Sequence, residues 1–384
     1  MTIDLDPYDP ALTEPSVWDA YAAARAAGPV ARSGRRGGFW VLTGYDDVRA
    51  VLRDPQTFSS ASGHRIPTDG TQRSIPIDYD PPRHTAYRRL MGPPLSTARV
   101  RQMRPFLERT IADLVGGFAA RGSGDFVREV ALPLPLAVLT ELVGFAPDTV
   151  DRFREVTEEV WSGLGADGEA VDFAGAFRRI SELMAAELDA HRAHGADDFV
   201  TTLLSAEVGE EERISILATF AVAGHETTMN AASTLVALLL EDPARQDRLR
   251  ADPSLARGFV EEMLRHRSPA QNFARRATCP VTVAGQAVEE GDAVLLSFAA
   301  ANRDPARFAD PDRFDPGRDV SGHLGFGWGI HMCPGAALAR AELTILLTTL
   351  VGHPPLRLAG EVRWSGLQGG NHLGPTTLPV RFEG

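Results

Sequence analysis

The sequence feature that most restricts the fold is a cysteine between a glycine-rich loop and the start of a helix. The run GFGWGIHMCPGAALARAEL, residues 325–343, has three glycines before Cys333 and a helical pattern after it. Helix N-termini offer unpaired N–H groups and the positive end of the helix dipole, which both stabilise a thiolate. Gly335 has no Cβ and would let a flat ligand approach the backbone. The pattern indicates a nucleophile or a metal ligand, and the alternative is a small buried hydrophobic cysteine.

A second motif, AGHETT at residues 223–228, interrupts a long apolar helical segment. Glycine inside a helix costs roughly 1 kcal/mol relative to alanine, so Gly224 requires a reason. The Thr227 hydroxyl could bond to a carbonyl one turn back and open a local bulge, and Glu226 is an acid among apolar residues. Such a pair could pass protons or hold a water beside a bound ligand. A zinc-protease interpretation fails because the fifth position of HETTM is Met229 and not histidine.

Two further pairs have the spacing of neighbours on a helix. Glu262 and Arg265 are three residues apart, and His84 and Arg88 are four apart in DPPRHTAYRRLM. The first pair can form an ion pair, and the second suits an anionic group. The alternatives are a surface ion pair worth roughly 0.2–0.5 kcal/mol and an exposed basic face.

The composition excludes several classes of enzyme. The 384-residue chain contains no lysine, so all 39 basic residues are arginines. Walker-type phosphate loops and protein kinases need a lysine, and so does Schiff-base chemistry. The net charge of −12 argues against a nucleic-acid partner, because phosphate contacts need a basic face.

The location of the protein follows from its cysteines and its apolar segments. The presence of only two cysteines, Cys279 and Cys333, argues against a secreted disulfide scaffold and favours a reducing compartment. The N-terminus MTIDLDPYDP lacks the basic and apolar regions of a signal peptide. Polar and charged residues interrupt the segment 214–240, which predicts a buried helix and not a membrane crossing. We therefore expect a cytoplasmic protein.

Hydrophobic periodicity and turn residues predict a mainly α fold with small β-sheets. Long helical patterns occupy 16–27, 97–120, 134–144, 148–163, 170–193 and 212–241, and shorter ones 243–250, 254–266 and about 334–350. Residues 39–45, 280–285, 293–298 and the stretches around 356–382 have strand character. A dinucleotide-binding fold is disfavoured, because strands and helices do not alternate as in a parallel doubly wound sheet.

Together these motifs resemble the cytochrome P450 family of haem-thiolate monooxygenases, in particular its soluble bacterial members. The family signature F-G-x-G-x-H-x-C-x-G is matched at every fixed position from Phe326 to Gly335, and A-G-x-[D/E]-T-T is matched at 223–228. Glu262 and Arg265 match the family's E-x-x-R pair, and residues 302–319 are similar to the segment that follows it. The motifs occur in the family's order.

The resemblance implies a helix-rich cytochrome P450 fold, with residues 1–384 as a single domain that encloses haem b (iron protoporphyrin IX). Cys333 would be the axial ligand of the iron, and its thiolate would favour O–O cleavage. Phe326 would pack near that sulfur, and Gly335 would adjoin the haem. The residues that match propionate-binding positions are His84, Arg88, Arg275 and His331.

The family's other functional positions also have counterparts here. Glu226 and Thr227 would deliver protons during oxygen activation. Glu262 and Arg265 would form a buried network with an arginine of the 302–319 segment, for which Arg318 is favoured and Arg313 competes. The positions that would line the substrate pocket are Ile75, Ile77, Ala223, Gln271, Phe273, Asn371 and His372.

The implied activity is insertion of one oxygen atom from O2 into a small organic substrate, by hydroxylation or a related oxidation, in natural-product tailoring or catabolism. Electrons would come from NAD(P)H through a separate ferredoxin and ferredoxin reductase, and the enzyme would be a monomer. A basic face for the ferredoxin would use Arg99, Arg101, Arg104 and Arg340. Trp328 and Pro334 depart from the residues usual in the family, which would alter the surface offered to the electron donor.

Three other functions fit the sequence less well than a monooxygenase. Peroxide-using hydroxylases that resemble this family usually lack the acid–threonine pair. A haem-binding sensor or carrier would not need the proton delivery that Glu226 and Thr227 offer. A thiol hydrolase using Cys333 with His331 is disfavoured, because side chains two residues apart in a loop rarely face each other and no third orienting residue is apparent.

Overall fold

The computed structural model describes residues 2–68, 73–163 and 173–383. By spatial clustering the chain divides into two compact units, each assembled from separate stretches of sequence. Unit 1 comprises Met1–Thr85, Ser254–Ala336 and Trp364–Gly374, and unit 2 comprises Ala86–Pro253, Ala337–Arg363 and Pro375–Gly384. That residues 1–384 act as one domain stays a prediction.

Most of the described residues in regular structure are helical, as the sequence predicts. The helices are α1 Ser16–Ala26, α2 Tyr45–Arg53, α3 Arg83–Met91, α4 Thr97–Arg121, α5 Pro133–Val143, α6 Pro147–Gly163, α7 Phe173–His194, α8 Phe199–Leu204, α9 Glu210–Leu240, α10 Pro243–Ala251, α11 Ala256–His266, α12 Phe298–Ala301 and α13 Ala336–Val351. The predicted start of the 170–193 helix lies outside the described residues. Helix α8 is new relative to the sequence prediction, because FVTTLL is short and rich in β-branched residues.

The strands are short. They are β1 Thr2–Ile3, β2 Val30–Ser33, β3 Phe39–Leu42, β4 Phe58–Ser59, β5 Ser123–Asp125, β6 Asn272–Ala277, β7 Val281–Val283, β8 Gln286–Val288, β9 Ala293–Ser297, β10 Leu356–Leu358, β11 Arg363–Trp364, β12 Pro375–Thr377 and β13 Pro379–Phe382. Six of them form one sheet in unit 1, in the order β1-β2-β3-β9-β6-β4. Neither β2 nor β6 was predicted, because VARS and NFARRA are too polar to look like strands.

The centre of the unit 1 sheet is covered on both faces. Successive residues of β3 alternate between two hydrophobic clusters, with Trp40 and Leu42 in one and Phe39 and Val41 in the other. Strand β9 pairs parallel to β3 and alternates in the same way. Period-two alternation between two apolar layers explains why these strands are apolar throughout.

Unit 2 is built around α9, whose residues are buried along most of its C-terminal half. Helices α5 and α7 pack against it. A Cβ at Gly224 would lie 3.3 Å from Leu139 Cδ2, so the mid-helix glycine lets α5 approach closely. The local bulge that the sequence suggested at AGHETT is not found, because α9 is regular α-helix through residues 223–228. Strands β10, β13 and β5 form an antiparallel sheet in the same unit.

Within residues 2–68, 73–163 and 173–383, no helix has the length and apolar character needed to cross a membrane.

Candidate functional site

The loop that carries Cys333 closes on itself through backbone hydrogen bonds. The Cys333 N–H donates to the Phe326 carbonyl (2.9 Å), and the Gly327 N–H donates to the Leu324 carbonyl (2.9 Å). A single turn at Gly329–His331 lies between them, and α13 begins three residues after the cysteine. Cys333 is partly exposed. The thiol therefore lies at the end of a tight loop and just before a helix N-terminus, as the sequence predicts.

Two glycines of this loop serve different purposes. A Cβ at Gly325 would come within 2.5 Å of the Leu264 carbonyl oxygen, so this glycine allows the loop to pack directly on the end of α11. A Cβ at Gly335 would contact the Cys333 sulfur at 3.8 Å and no other heavy atom within 4 Å among its described surroundings. Gly335 therefore keeps the surface beside the sulfur clear of side-chain atoms.

Three of the predicted propionate residues lie in unit 1, and two of them are in contact. The rings of His84 and His331 are 4.3 Å apart between centroids, and His331 Nε2 is 3.1 Å from the Ser60 hydroxyl. The Ser60 N–H donates to Asp80 (3.0 Å). The fourth, Arg88, is one turn after His84 on α3, which places the two on one helix face.

Arg275 is a buried cation on β6, with 3% of its surface exposed. Burial lowers the pKa of its guanidinium to about 10, and the nearby carboxylates Asp78 and Asp80 offset part of that effect. One amino group donates to the Ala274 carbonyl (2.7 Å). Because burying a charge is costly without an anionic partner, this arginine suits an anionic ligand.

The Glu262–Arg265 pair on α11 is fully buried and not a surface ion pair. Arg265 donates to both carboxylate oxygens of Glu262, at 2.7 and 2.8 Å, which is bidentate geometry. Arg318 Nε lies 3.4 Å from Glu262 Oε1. Arg313 instead pairs with Asp315 and leaves 65% of its side chain exposed. Of the two candidates for the third member, Arg318 is the one within ion-pair distance of Glu262.

The predicted acid–threonine pair lies in unit 2, in the middle of α9. The Thr227 hydroxyl donates to the Ala223 carbonyl (2.7 Å), the backward bond expected from the sequence. Ala223 is exposed, and Glu226 and Thr227 are partly exposed, whereas the residues from Thr228 to Leu239 are buried. A polar and accessible turn therefore interrupts a buried helix, as proton transfer to a ligand requires.

His225 points to the opposite side of the same turn. It is 1% exposed, and its ring packs edge-on against Phe153 with centroids 5.6 Å apart. Burial lowers the pKa of His225 to about 4, although the Glu226 charge and a bond to the Leu132 backbone act in the other direction. This histidine is a neutral core residue and not part of the accessible turn.

The predicted substrate-lining residues have diverse environments. In unit 1, Ile75 is 2% exposed, and Phe273 packs edge-on against His372 at 6.4 Å between ring centroids.

The two predicted amide residues bond to nearby backbone. The Asn371 amide donates to the Asn272 carbonyl (2.9 Å), and Gln271 donates to the Ser268 carbonyl. The two amides thus support the local backbone, while Ile77 is partly exposed. Part of the predicted pocket loop, residues 69–72, lies outside the described residues.

Sequence reasoning missed the side chains that hold the start of the cysteine loop. The Leu324 N–H donates to Asn302 Oδ1 (2.7 Å), and the Gly325 N–H donates to His323 Nδ1 (3.1 Å). His323 Nε2 lies 3.1 Å from a carboxylate oxygen of Glu261. The only hint of this bond in the sequence is a second glutamate, Glu261, beside Glu262 in FVEEMLRHR. That position does not indicate a partner 62 residues away.

The cysteine loop, the buried Arg275 and the accessible acid–threonine turn are the features that a haem-thiolate oxygenase would need. A sequence profile described as Cytochrome P450 matches residues 140–357. The chain belongs to the cytochrome P450 family and is a P450 monooxygenase. The family's cofactor is haem b, reduced by NAD(P)H through redox partners.

Relatives match along nearly the whole chain. Cytochrome P450 107B1 of Saccharopolyspora erythraea is 36% identical over 348 residues, 85% of each chain. Steroid C26-monooxygenase of Mycobacterium tuberculosis (strain H37Rv) is 33% identical over 373 residues, which covers 94% of this chain and 93% of the relative. The crystal structure of CYP105P1 in complex with filipin I superposes with a TM-score of 0.87 at 31% identity, covering 100% of this chain and 98% of that one.

The residues of unit 1 fit haem b. Its flat ring needs a surface without side-chain atoms, which Gly335 provides beside the Cys333 sulfur. Its two carboxylates need cations or hydrogen-bond donors, which the buried Arg275 and the contacting His84 and His331 could supply. No group of three or more His, Cys, Asp or Glu residues arranged to bind a metal ion occurs in the described part of the chain.

Proposed function

We propose that this enzyme inserts one oxygen atom from O2 into a small, largely apolar organic substrate, in natural-product tailoring or in catabolism. The observation that carries this proposal is the accessible Glu226–Thr227 turn of α9. Activation of O2 consumes protons, whereas a binding protein needs no proton delivery and peroxide-using enzymes that resemble this family usually lack the acid–threonine pair. The turn therefore favours O2 as oxidant.

The haem, when bound, supplies the redox-active iron at which O2 is reduced. Cys333 would hold the iron through its thiolate, and Phe326 would shield the sulfur. His84, Arg88, Arg275 and His331 would hold the two propionates by charge-assisted hydrogen bonds. Gly335 would let the ring lie against the backbone. These roles rest on the family signature and are supported by the burial of Arg275 and the contact between His84 and His331.

Glu226 and Thr227 would form the end of a proton path. The Thr227 Oγ1–H is held by the Ala223 carbonyl, which leaves the oxygen lone pairs able to accept a hydrogen bond from a water or a reacting group. Glu226 is on the same turn and partly exposed, so it can exchange protons with solvent. Glu226 would thus supply protons, and Thr227 would orient their delivery.

The electron donor would be a ferredoxin served by an NAD(P)H-dependent reductase. The chain has two cysteines, too few for a cluster bound by four, which supports a separate protein as the electron donor. Of the basic face predicted on α4, Arg99 and Arg104 pair with Glu141 and Glu108, which weakens it.

A more favourable docking surface lies beside the cysteine loop in unit 1. Arg49 and Arg53 of α2 stack on Trp328, with 4.2 and 5.6 Å from guanidinium carbon to ring centroid, and Met332 next to Cys333 is 46% exposed. Two arginines around an aromatic ring and an exposed methionine suit a partner with an acidic surface. That surface supports an acidic ferredoxin as donor. The monomeric state and the cytoplasmic location stay predictions.

The substrate is proposed at the level of its chemistry. Ile75, Ile77, Ala223 and Phe273 would provide apolar contacts, and His372 a polar one. The polar side chains of Gln271 and Asn371 bond to nearby backbone, so they would shape the pocket more than bind a polar group. The relatives include a steroid C26-monooxygenase, which supports a largely apolar small molecule as the substrate.

The test is oxygen incorporation with a substrate found by titration. Steroids and macrolides are titrated into the haem protein, and a compound that changes the iron spin state is turned over with ferredoxin, reductase, NADPH and labelled O2. We expect one labelled oxygen atom per product. Thr227→Ala should consume NADPH at a similar rate but release peroxide, and Thr227→Ser should restore coupling. Label taken from water, or equal turnover with peroxide in place of the reductase, would contradict the proposal.

A further inference from the structure

Two adjacent carboxylates of α11 begin two separate chains of hydrogen bonds. Glu262 is fully buried and bonds to Arg265. Glu261, the preceding residue, keeps 18% of its side chain exposed and bonds to His323 (3.1 Å). Side chains of neighbouring residues on a helix point in different directions, so the two carboxylates reach different partners.

The first chain runs from Glu262 through Arg265 to Asn302. Arg265 Nη1 donates to the Asn302 backbone carbonyl (2.8 Å), and the Asn302 side-chain oxygen accepts the Leu324 N–H (2.7 Å). A second bond from the Asn302 amide to the Ser268 hydroxyl (3.1 Å) fixes the orientation of that side chain. The first chain therefore ends on the backbone amide of Leu324.

The second chain runs from Glu261 through His323 and ends one residue further on. His323 Nδ1 accepts the Gly325 N–H at 3.1 Å, so this nitrogen carries no proton. The proton must then be on Nε2, which lies 3.1 Å from Glu261 Oε2 and donates to it. The carboxylate thus selects the tautomer that allows the ring to bind the loop, as carboxylates do for histidines that bind metals. His323 is 8% exposed, which strengthens both bonds.

The two chains end on consecutive amides, at the point where the cysteine loop begins. Gly325 has no room for a Cβ against the Leu264 carbonyl, so its position is fixed by packing as well as by His323. The next residue, Phe326, accepts the Cys333 N–H through its carbonyl. The orientation of the peptide groups at 324–326 therefore decides where the cysteine lies.

We propose that Glu261 and His323 are a positioning pair for the thiolate, acting through the Gly325 amide and the Phe326 carbonyl. The pair is separate from the buried Glu262–Arg265 network. The inference rests on the proposed role of Cys333 as the iron ligand. Loss of the pair frees the start of the loop, lets water approach the sulfur and changes the sulfur's hydrogen bonding, which shifts the iron reduction potential.

The test compares His323 variants in the haem-bound protein. His323→Leu removes both bonds. His323→Asn places an amide oxygen where Nδ1 was, so it keeps the bond from the Gly325 N–H and loses the one to Glu261. The control is Val17→Ala, which removes buried side-chain atoms from a hydrophobic cluster of unit 1 that contains no residue of the cysteine loop. It reports the effect of a packing defect that leaves the Glu261–His323 pair intact. The readouts are amide hydrogen exchange of the 324–333 peptide and the iron reduction potential.

We expect His323→Leu to speed exchange of the 324–333 peptide on the order of tenfold, the effect of losing one backbone hydrogen bond, and to shift the potential. His323→Asn should restore most of the exchange protection, and Val17→Ala should leave both readouts at the wild-type values. Unchanged exchange and potential in His323→Leu would overturn the proposal, as would failure of His323→Asn to restore protection or an equal effect of Val17→Ala.

Variants of Glu261 test the contribution of its carboxylate separately from that of His323. Glu261→Gln keeps an acceptor for Nε2–H and should behave nearly as wild type, whereas Glu261→Ala should reproduce part of the His323→Leu effect. Equal behaviour of the Gln and Ala variants would contradict the role of the carboxylate oxygen. If Cys333→Ala keeps the thiolate absorption band, the proposed function fails. If that band is lost but His323→Leu changes neither the amide exchange nor the reduction potential, the proposed function stands and only the role of the Glu261–His323 pair is contradicted.

Discussion

The cysteine loop and the Ala223–Thr228 turn of α9 carry the two halves of the proposed chemistry and are built in opposite ways. The loop begins on amides held by the side chains of Asn302 and His323, which bond in turn to Ser268 and Glu261 of unit 1. The α9 turn is held by its own helix, with Thr227 bonded to a carbonyl four residues back. An iron ligand must be fixed in position, whereas a proton path must remain accessible to water.

This difference predicts that changes at the loop's supports cost more stability than changes at the α9 turn. The largest effect is expected for Glu262→Ala, which leaves Arg265 as an uncompensated charge in the interior. Breaking a buried pair in this way costs about 3–5 kcal/mol, which urea denaturation would measure. Arg313→Ala, at a mostly exposed arginine, is the control and should change stability by about 0.5 kcal/mol or less. A loss below about 1 kcal/mol for Glu262→Ala would show that the network does not support unit 1.

The second largest effect is a loss of folding stability at acidic pH, caused by His225 on the buried side of the α9 turn. Burial lowers the pKa of His225 to about 4, so between pH 6.5 and 4 the unfolded chain takes up a proton that the folded chain does not. Folded stability should therefore fall as the pH decreases, by about 2–3 kcal/mol between pH 7 and pH 4.5 from this residue. Urea denaturation at both pH values should show a smaller decrease for His225→Asn than for wild type. Equal decreases would mean that His225 is protonated in the folded state.

Gly325→Ala tests the close packing of the cysteine loop. The added methyl group would lie 2.5 Å from the Leu264 carbonyl oxygen, so the loop or the end of α11 must move. Overpacking of this kind costs about 1–3 kcal/mol. Gly335→Ala is the matched control in the haem-free protein, because its Cβ would contact only the Cys333 sulfur among its described surroundings, at 3.8 Å. Equal unfolding midpoints for the two variants would contradict the packing argument.

The smallest effect on stability is expected at Thr227. Its hydroxyl bonds within its own helix to a carbonyl on a partly exposed turn, so Thr227→Ala should change the free energy of unfolding by about 1 kcal/mol or less. Thermal denaturation of Thr227→Ala and Glu262→Ala under the same conditions would compare the two losses of stability directly. A loss as large as that of Glu262→Ala would show that the turn is a structural element like the loop supports.

The same contrast explains how far the sequence alone could predict the molecule. The Thr227 bond follows from helix periodicity, and the helices from α4 to α9 follow from apolar spacing and turn residues, with the exception of α8. Strand β6 was missed because NFARRA carries two arginines, one of which, Arg275, is buried. Its burial depends on the surroundings of the folded chain, which local sequence does not reveal.

The supports of the cysteine loop could not be predicted from local pattern either. Asn302 reaches an amide 22 residues away, and Glu261 reaches a histidine 62 residues away. Hydrophobic periodicity describes which face of a helix is buried and contains no information about which polar groups pair. The resemblance favoured Arg318 over Arg313, and it is Arg318 that lies within ion-pair distance of Glu262. Local pattern does not distinguish the two arginines, because both lie in one polar segment.

The most direct test of the central claim, that Cys333 is the iron ligand, is the absorption spectrum of the reduced, carbon-monoxide-bound protein. The chain offers its own control, because its other cysteine, Cys279, is exposed and outside the loop. Wild type and Cys279→Ala should both show the red-shifted Soret band of a thiolate–iron bond, and Cys333→Ala, with its helix content verified by circular dichroism, should not. Survival of the band in Cys333→Ala, or its loss in Cys279→Ala, would contradict the assignment.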